Sequence, residues 1–228
     1  MTLMLQTFGL AKSFTLHLRD GLVLPVLSGI DLEVHAGQCV VLSGPSGAGK
    51  STLMRSLYGN YRADGGSILV RHEGKMVDIA AAGPRTILAV RQETLGYVSQ
   101  FLRVVPRVSA LDVVAERGKD TDNARNQARA LLLRLNIPER LHAIPPATFS
   151  GGEQQRVNLA RGFVAGHPIL LLDEPTASLD AGNRAVVIEM VREAKAAGTA
   201  IVAICHDSDV RDAIADRLFE MTPYRDAA

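Results

Sequence analysis

The sequence predicts an α/β fold with a mostly parallel core sheet, an N-terminal antiparallel β region and an inserted α-helical lobe. Three observations predict it. Cys39-Val40-Val41-Leu42, Ile169-Leu170-Leu171-Leu172 and Ala200-Ile201-Val202-Ala203-Ile204 are apolar without alternation, as strands buried on both faces of a parallel sheet are. Residues 184–197, between the second and third runs, read as a helix, so the order is βαβ. Between Gln100 and Phe149 the pattern turns helical, with 109–116 and 123–136 as the candidate helices.

Taken in chain order, residues 3–7, 30–34 and 67–71 alternate between Gly- and Asp-marked turns and predict the antiparallel region. A helix over 52–58 follows the first buried strand. Pro145-Pro146 cannot continue a helix and mark the return from the lobe to the core. The expected organisation is one domain over 1–228, with a core of 1–99 and 150–228 and a helical lobe of 100–149.

A chain of 228 residues, 47% hydrophobic and 21% charged, is long enough for a sizeable core and has the composition of an ordinary globular protein. The formal net charge is +1 without a Lys/Arg-rich run, which argues against nucleic acid as a partner. Cys39 and Cys205 sit in apolar stretches and read as reduced, structural thiols, which suits a cytoplasmic location. The first residues do not read as a secretory signal, and no run approaches the roughly 20 apolar residues of a membrane span. Direct membrane insertion is therefore not expected, and any work at a membrane needs spans supplied by another chain.

Gly44-Pro45-Ser46-Gly47-Ala48-Gly49-Lys50-Ser51 fits G-x-x-x-x-G-K-[ST] and lies between a buried strand and a helix that opens at Thr52. Glycines let backbone N–H groups wrap a phosphate, and the helix N-terminus adds roughly half a positive charge. Lys50 then reaches the β- and γ-phosphates of ATP, and the Ser51 hydroxyl ligates Mg²⁺. The alternative is a Gly-rich turn with no ligand, which the strand-loop-helix context disfavours. Ile169 to Leu172 ends in Asp173-Glu174. Ligands of a parallel sheet bind at the carboxyl ends of its strands, so Asp173 suits Mg²⁺ and Glu174 suits a general base for the attacking water.

Phe149-Ser150-Gly151-Gly152-Glu153-Gln154-Gln155-Arg156 carries the S-x-x-E spacing of a capping box, opening a helix to about Phe163. A helix N-terminus behind two glycines is a second anion-ready surface, for which one domain has no obvious use. The stretch resembles the signature of ATP-binding-cassette (ABC) proteins, a P-loop NTPase family, and the resemblance spans essentially the whole chain. It implies a second cassette as partner, paired head to tail, with Ser150, Gly151 and Gly152 of one chain closing on the γ-phosphate held by the other. It further implies that Phe14 stacks on adenine, that Gln100 senses Mg²⁺ and the attacking water, that Ser178-Leu179-Asp180 crosses to the partner's site, and that His206 contacts the γ-phosphate. Glu153 stands where many members have glutamine.

Leu57-Tyr58-Gly59-Asn60-Tyr61, Ser99-Gln100-Phe101-Leu102-Arg103-Val104-Val105-Pro106-Arg107, Arg134-Leu135-Asn136-Ile137-Pro138-Glu139-Arg140 and Pro145-Pro146-Ala147-Thr148-Phe149 resemble the L-subunit branch of the bacterial carbon–phosphorus lyase system. That resemblance implies soluble lyase core subunits as partners and support for making α-D-ribose 1-methylphosphonate 5-triphosphate from ATP and methylphosphonate. Residues 101–107, after Gln100, are then the partner-facing segment. Two alternatives stand beside it: the ATPase of a phosphonate importer or lipoprotein-releasing transporter with separate membrane subunits, and a nucleotide-dependent structural module that hydrolyses little.

Overall fold

The computed structural model describes residues 1–16, 21–102, 106–118 and 123–224. Strands β1 (Leu3–Leu16), β2 (Leu22–His35), β4 (Gly65–His72) and β5 (Lys75–Asp78) form an antiparallel sheet in the order β2-β1-β4-β5. Strands β3 (Cys39–Ser43), β6 (Leu95–Val98), β7 (Ile169–Asp173), β8 (Ala200–Ile204) and β9 (Arg217–Glu220) form a parallel sheet in the order β6-β7-β8-β3-β9. The helices are α1 (Lys50–Leu57), α2 (Pro84–Glu93), α3 (Ala110–Ala115), α4 (Ala124–Arg134), α5 (Glu139–His142), α6 (Gly151–Phe163), α7 (Ala181–Ala196) and α8 (Ser208–Ile214). Among the described residues, no helix is long and apolar enough to cross a membrane.

Every residue of β7 and β8 is buried, as their unbroken apolar runs require. Because successive strand residues point to opposite faces, the sheet feeds two separate cores. Val41, Leu170, Leu172, Ile201 and Ala203 pack with the lobe helices and with α6 and α7. Val40, Leu42, Leu171, Val202 and Ile204 pack with α1 and the antiparallel sheet. The parallel sheet is thus a wall with α1 and the antiparallel sheet on one face and the lobe helices, α6 and α7 on the other.

The antiparallel strands run much further than 3–7, 30–34 and 67–71. β1 keeps its pairing with β2 through register shifts, one of them between Thr7 and Leu10 around Gly9 at φ 53°. Those shifts break the alternation that marks a strand in sequence. Strands β5 and β9 and helices α2, α5 and α8 have no counterpart in the sequence reading. Apart from the ten-residue α2 they are short, and β9 is largely exposed, so they carry little periodic signal. Cys205 lies one residue beyond β8 and is half-buried, whereas Cys39 is fully buried. Burial pushes both thiols up to about 12, so neither is a reactive thiolate near neutral pH.

The lobe closes by local rules. Ser109 caps α3 by accepting from the Asp112 N–H. Helix α4 ends in a paired turn: Asn136, at φ 55°, donates its N–H to the Leu133 carbonyl and Ile137 donates to Leu132. Pro146 begins a 3-10 turn (Pro146–Thr148) before α6, consistent with the expected return to the core.

Candidate functional site

Strand β3 runs straight into the phosphate loop. Gly44 has φ 142°, and a Cβ there would sit 2.2 Å from the Met221 carbonyl oxygen. Gly49 has φ 89°, and its Cβ would lie 2.9 Å from Leu27 Cδ2 and 3.0 Å from the Val26 oxygen. Only glycine fits either position. Helix α1 starts at Lys50 with no side-chain cap and no acidic residue in its first turn, which leaves its first N–H groups for an anion. Lys50 Nζ donates to the Gly44 oxygen at 2.7 Å and the Pro45 oxygen at 2.9 Å, holding its ammonium against the loop. Pro45, Ser46, Gly47 and Ser51 are exposed, Ala48 is buried and Thr52 is half-buried. The donors, the lysine and the uncapped helix fit the phosphates of a nucleotide.

The carboxylates arrive two strands away. Leu42 and Asp173 are both in register with Ile204, which puts Asp173 about 10 Å across the sheet from the end of β3. Asp173 is 4% exposed, and its Oδ2 accepts from the Tyr97 hydroxyl at 2.9 Å. Burial raises its pKa, the Tyr97 bond opposes that rise, and the Glu174 charge adds to it. Burial also raises the Tyr97 pKa, so the phenol keeps its proton and donates.

Glu174 has φ 53°, a left-handed conformation that a side chain of this size seldom adopts. Its N–H is tied to the Ile204 carbonyl at 3.0 Å, and its carboxylate is held on both sides. Gln100 Nε2 donates to Oε2 at 3.0 Å, and His206 Nε2 meets Oε1 at 2.9 Å. Since a carboxylate only accepts, His206 carries its proton on Nε2 in this pair. Gln100, Glu174 and His206, read as three separate motifs in sequence, therefore form one hydrogen-bonded cluster. A carboxylate fixed this way can orient a water and take its proton.

Among the described residues there is no group of three or more His, Cys, Asp and Glu side chains able to hold a metal alone. Ser51 and Asp173 offer oxygen donors, and Gln100, whose nitrogen is committed to Glu174, can offer its amide oxygen to a cation. Such a set fits Mg²⁺, which keeps waters and takes one or two carboxylates together with phosphate oxygens.

Ser150 caps α6 with the predicted capping box. Its N–H and hydroxyl donate to Glu153 Oε2 at 2.9 and 2.6 Å, and the Glu153 N–H points back to Ser150 Oγ at 3.4 Å. A Cβ on Gly151 would meet nothing within 4 Å, whereas one on Gly152 would sit 2.9 Å from the Ser178 oxygen. Among the described residues, no hydrogen bond runs from Ser150, Gly151 or Gly152 to the phosphate loop of the same chain. Asp180 caps α7, its Oδ1 accepting from the Asn183 N–H and its Oδ2 from Asn183 Nδ2, both at 2.8 Å. Those bonds hold its carboxyl below the usual range.

Phe14 is half-buried in β1, pairs with Leu24 and meets the Tyr61 ring edge-on at 5.2 Å. Tyr61 in turn borders a cleft of about 420 Å³ beside Asp173, lined also by Arg55, Asn60, Tyr97, Ser99, Gln100 and Phe101. Of the predicted partner-facing segment 101–107, residues 103–105 lie outside the described residues, while Phe101 is 73% exposed. Sequence reasoning missed Tyr97, Asn183 and Arg184. Tyr97 shares strand β6 with the approach to Gln100, which was the one available signal for it.

The family described as "ABC transporter" matches residues 27–177. The lipoprotein-releasing system ATP-binding protein LolD 2 of Caulobacter vibrioides is 39% identical over 207 residues, covering 89% of this chain and 84% of that protein. LolD of Shewanella sp. strain MR-7 is 35% identical over 210 residues, covering 90% and 87%. The macrolide export ATP-binding/permease protein MacB of Nitrosomonas europaea is 38% identical over 200 residues, covering 86% of this chain but only 29% of MacB. Among solved structures, the dimeric MJ0796, a bacterial ABC transporter cassette, superposes with a TM-score of 0.86 at 23% identity, covering 96% of this chain and 94% of that one. That likeness bears on the fold.

Proposed function

The chain belongs to the ABC transporter family as a cassette ATPase, and from that premise we propose that two cassettes close head to tail on ATP and that Glu174 is the general base. The single observation that carries this is the Glu174 carboxylate, held between Gln100 and His206 at the strand ends that face the phosphate loop. In this reading Gly44 to Thr52 wrap the phosphates and Lys50 turns from its loop carbonyls to the β- and γ-oxygens. Ser51, Asp173 and Gln100 hold Mg²⁺, which when bound supplies charge neutralisation to the phosphates. Glu174 accepts the proton of a water oriented by Gln100, and His206 contacts the γ-phosphate. Ser150, Gly151 and Gly152 complete the partner's site, Asp180 lies in the loop that crosses to it, and Phe14 is the aromatic that stacks on adenine.

Glu174→Gln tests the assignment. It should leave ATP binding intact, lower hydrolysis by about a hundredfold or more and accumulate an ATP-bound dimer. Normal turnover in this variant sinks the general-base role.

For the client, the LolD-type relatives support a membrane partner supplied by separate chains, as in a lipoprotein-releasing type of transporter. A second reading, a soluble carbon–phosphorus lyase complex, is supported by the four stretches that resemble its L-subunit branch. Two of them, through Asn60, Tyr61, Ser99, Gln100 and Phe101, meet on the cleft beside Asp173. Affinity purification from cells grown on a phosphonate separates the two. An integral membrane protein in the eluate supports transport, and soluble subunits support the lyase.

A further inference from the structure

The first turn of α7 ties together three parts of the molecule that the sequence keeps far apart. Asn183 is 5% exposed, and burying its amide is costly unless each polar atom finds a partner. Its Oδ1 accepts from Asn136 Nδ2 at 3.0 Å, while its Nδ2 donates to Asp180 Oδ2 at 2.8 Å. Flipping that amide would set nitrogen against nitrogen and oxygen against a carboxylate, so its orientation is fixed. Asn136 occupies the left-handed position that ends α4, where glycine is the usual residue. An asparagine fits there, and it supplies a side-chain bond from this turn to Asn183 of Asp180's cap. Arg134, two residues earlier, makes a two-pronged ion pair with Glu193 of α7 at 2.6 Å on each prong. On the other side of the turn, Arg184 donates to the Leu179 carbonyl at 3.0 Å and pairs with Asp207, the neighbour of His206.

The geometry points to Asn183 as a positioning residue that sets the 178–180 loop according to where the helical lobe sits. A lobe displacement that pulls on Asn136 pulls on the side-chain amide that holds Asp180 Oδ2, next to the backbone N–H of the same residue that holds Oδ1. The loop is then presented to a second cassette only when the lobe is seated. This inference rests on the reading that two cassettes close on ATP.

The test uses the full chain in the Glu174→Gln background and compares Asn136→Gly, Asn183→Ala and the double variant. Asn136→Gly keeps the backbone at ease in its left-handed turn and removes only the lobe end of the relay. Binding of a fluorescent ATP analogue to monomer should stay within about twofold of the parent, and thermal unfolding of Asn136→Gly should be close to it. By sedimentation, ATP-dependent dimerisation should weaken about fivefold to tenfold in Asn136→Gly, the loss of one buried hydrogen bond, and at least as much in Asn183→Ala, which also loses the bond to Asp180. The double variant should be no weaker than the weaker single, because both substitutions break one relay. Asn136→Gly that dimerises like its parent, or losses that multiply in the double, would overturn the inference while leaving the dimer reading intact. If the Glu174→Gln parent itself stays monomeric with ATP, the dimer reading fails and the relay falls with it.

Discussion

Helix α1 begins behind a glycine and α6 begins with two, and both present an N-terminus that could face an anion, but they are finished in opposite ways. At α1 no side chain caps the first turn, Gly44 and Gly49 of the loop are locked in by Met221, Leu27 and Val26, and Lys50 rests on its own loop carbonyls. At α6 the Ser150 and Glu153 side chains take up the cap positions before any ligand arrives, and Gly151 faces open space. The first end is left electrically incomplete so that a phosphate can complete it. The second is already stiffened, as suits a surface that meets a phosphate held by another molecule.

The contrast is broken most severely at Lys50. Lys50→Ala should weaken ATP binding by about a hundredfold or more, since two or more charge-assisted bonds go with the ammonium. Near-normal binding in a fluorescence titration would mean that the loop amides suffice. Gly151→Ala sharpens the other side. The new methyl meets nothing within its own chain, so the unfolding midpoint should stay within about 2 °C and monomer ATP binding should hold. On the proposed head-to-tail pairing, hydrolysis should nevertheless fall about tenfold, because there the methyl would stand where a second cassette's phosphate approaches. Full activity in this variant would show that the face is not used.

The smallest effect is expected at Glu153, whose carboxyl the Ser150 bonds hold below its ordinary value of 4.5. A depressed pKa gives stability that is fully present above pH 4.5 and is lost as pH falls through the folded-state value. Glu153→Gln keeps an acceptor for Ser150 and should flatten the helix signal in circular dichroism below pH 4.5, where the parent loses it. The half-exposed setting makes this a change of slope rather than of fold.

The parts legible in sequence are those whose chemistry is contiguous. Gly44 to Ser51, Asp173-Glu174 and Ser150 to Glu153 each declare themselves within a few residues, because a loop, a strand end or a cap needs neighbours in the chain. Gln100 and His206 were legible only through resemblance to a family, and the structure adds that both grip the same carboxylate. Tyr97 and Asn183 were illegible for a physical reason. A tyrosine on a short strand or an asparagine in a helix's first turn is unremarkable until tertiary packing brings Asp173 or Asn136 to it. The long bulged strand β1 failed in a different way, since each register shift resets the alternation by which a strand is recognised.

The parallel sheet's two faces answer to different neighbours, and this has a consequence for how such a protein can change over time. Substitutions at Val41, Leu170 or Ile201 must be accommodated by the lobe, while those at Val40, Leu171 or Val202 must be accommodated by α1 and the antiparallel sheet. A lineage can therefore retailor the lobe for a new client through one set of alternate positions and leave untouched the packing that shapes the nucleotide cradle.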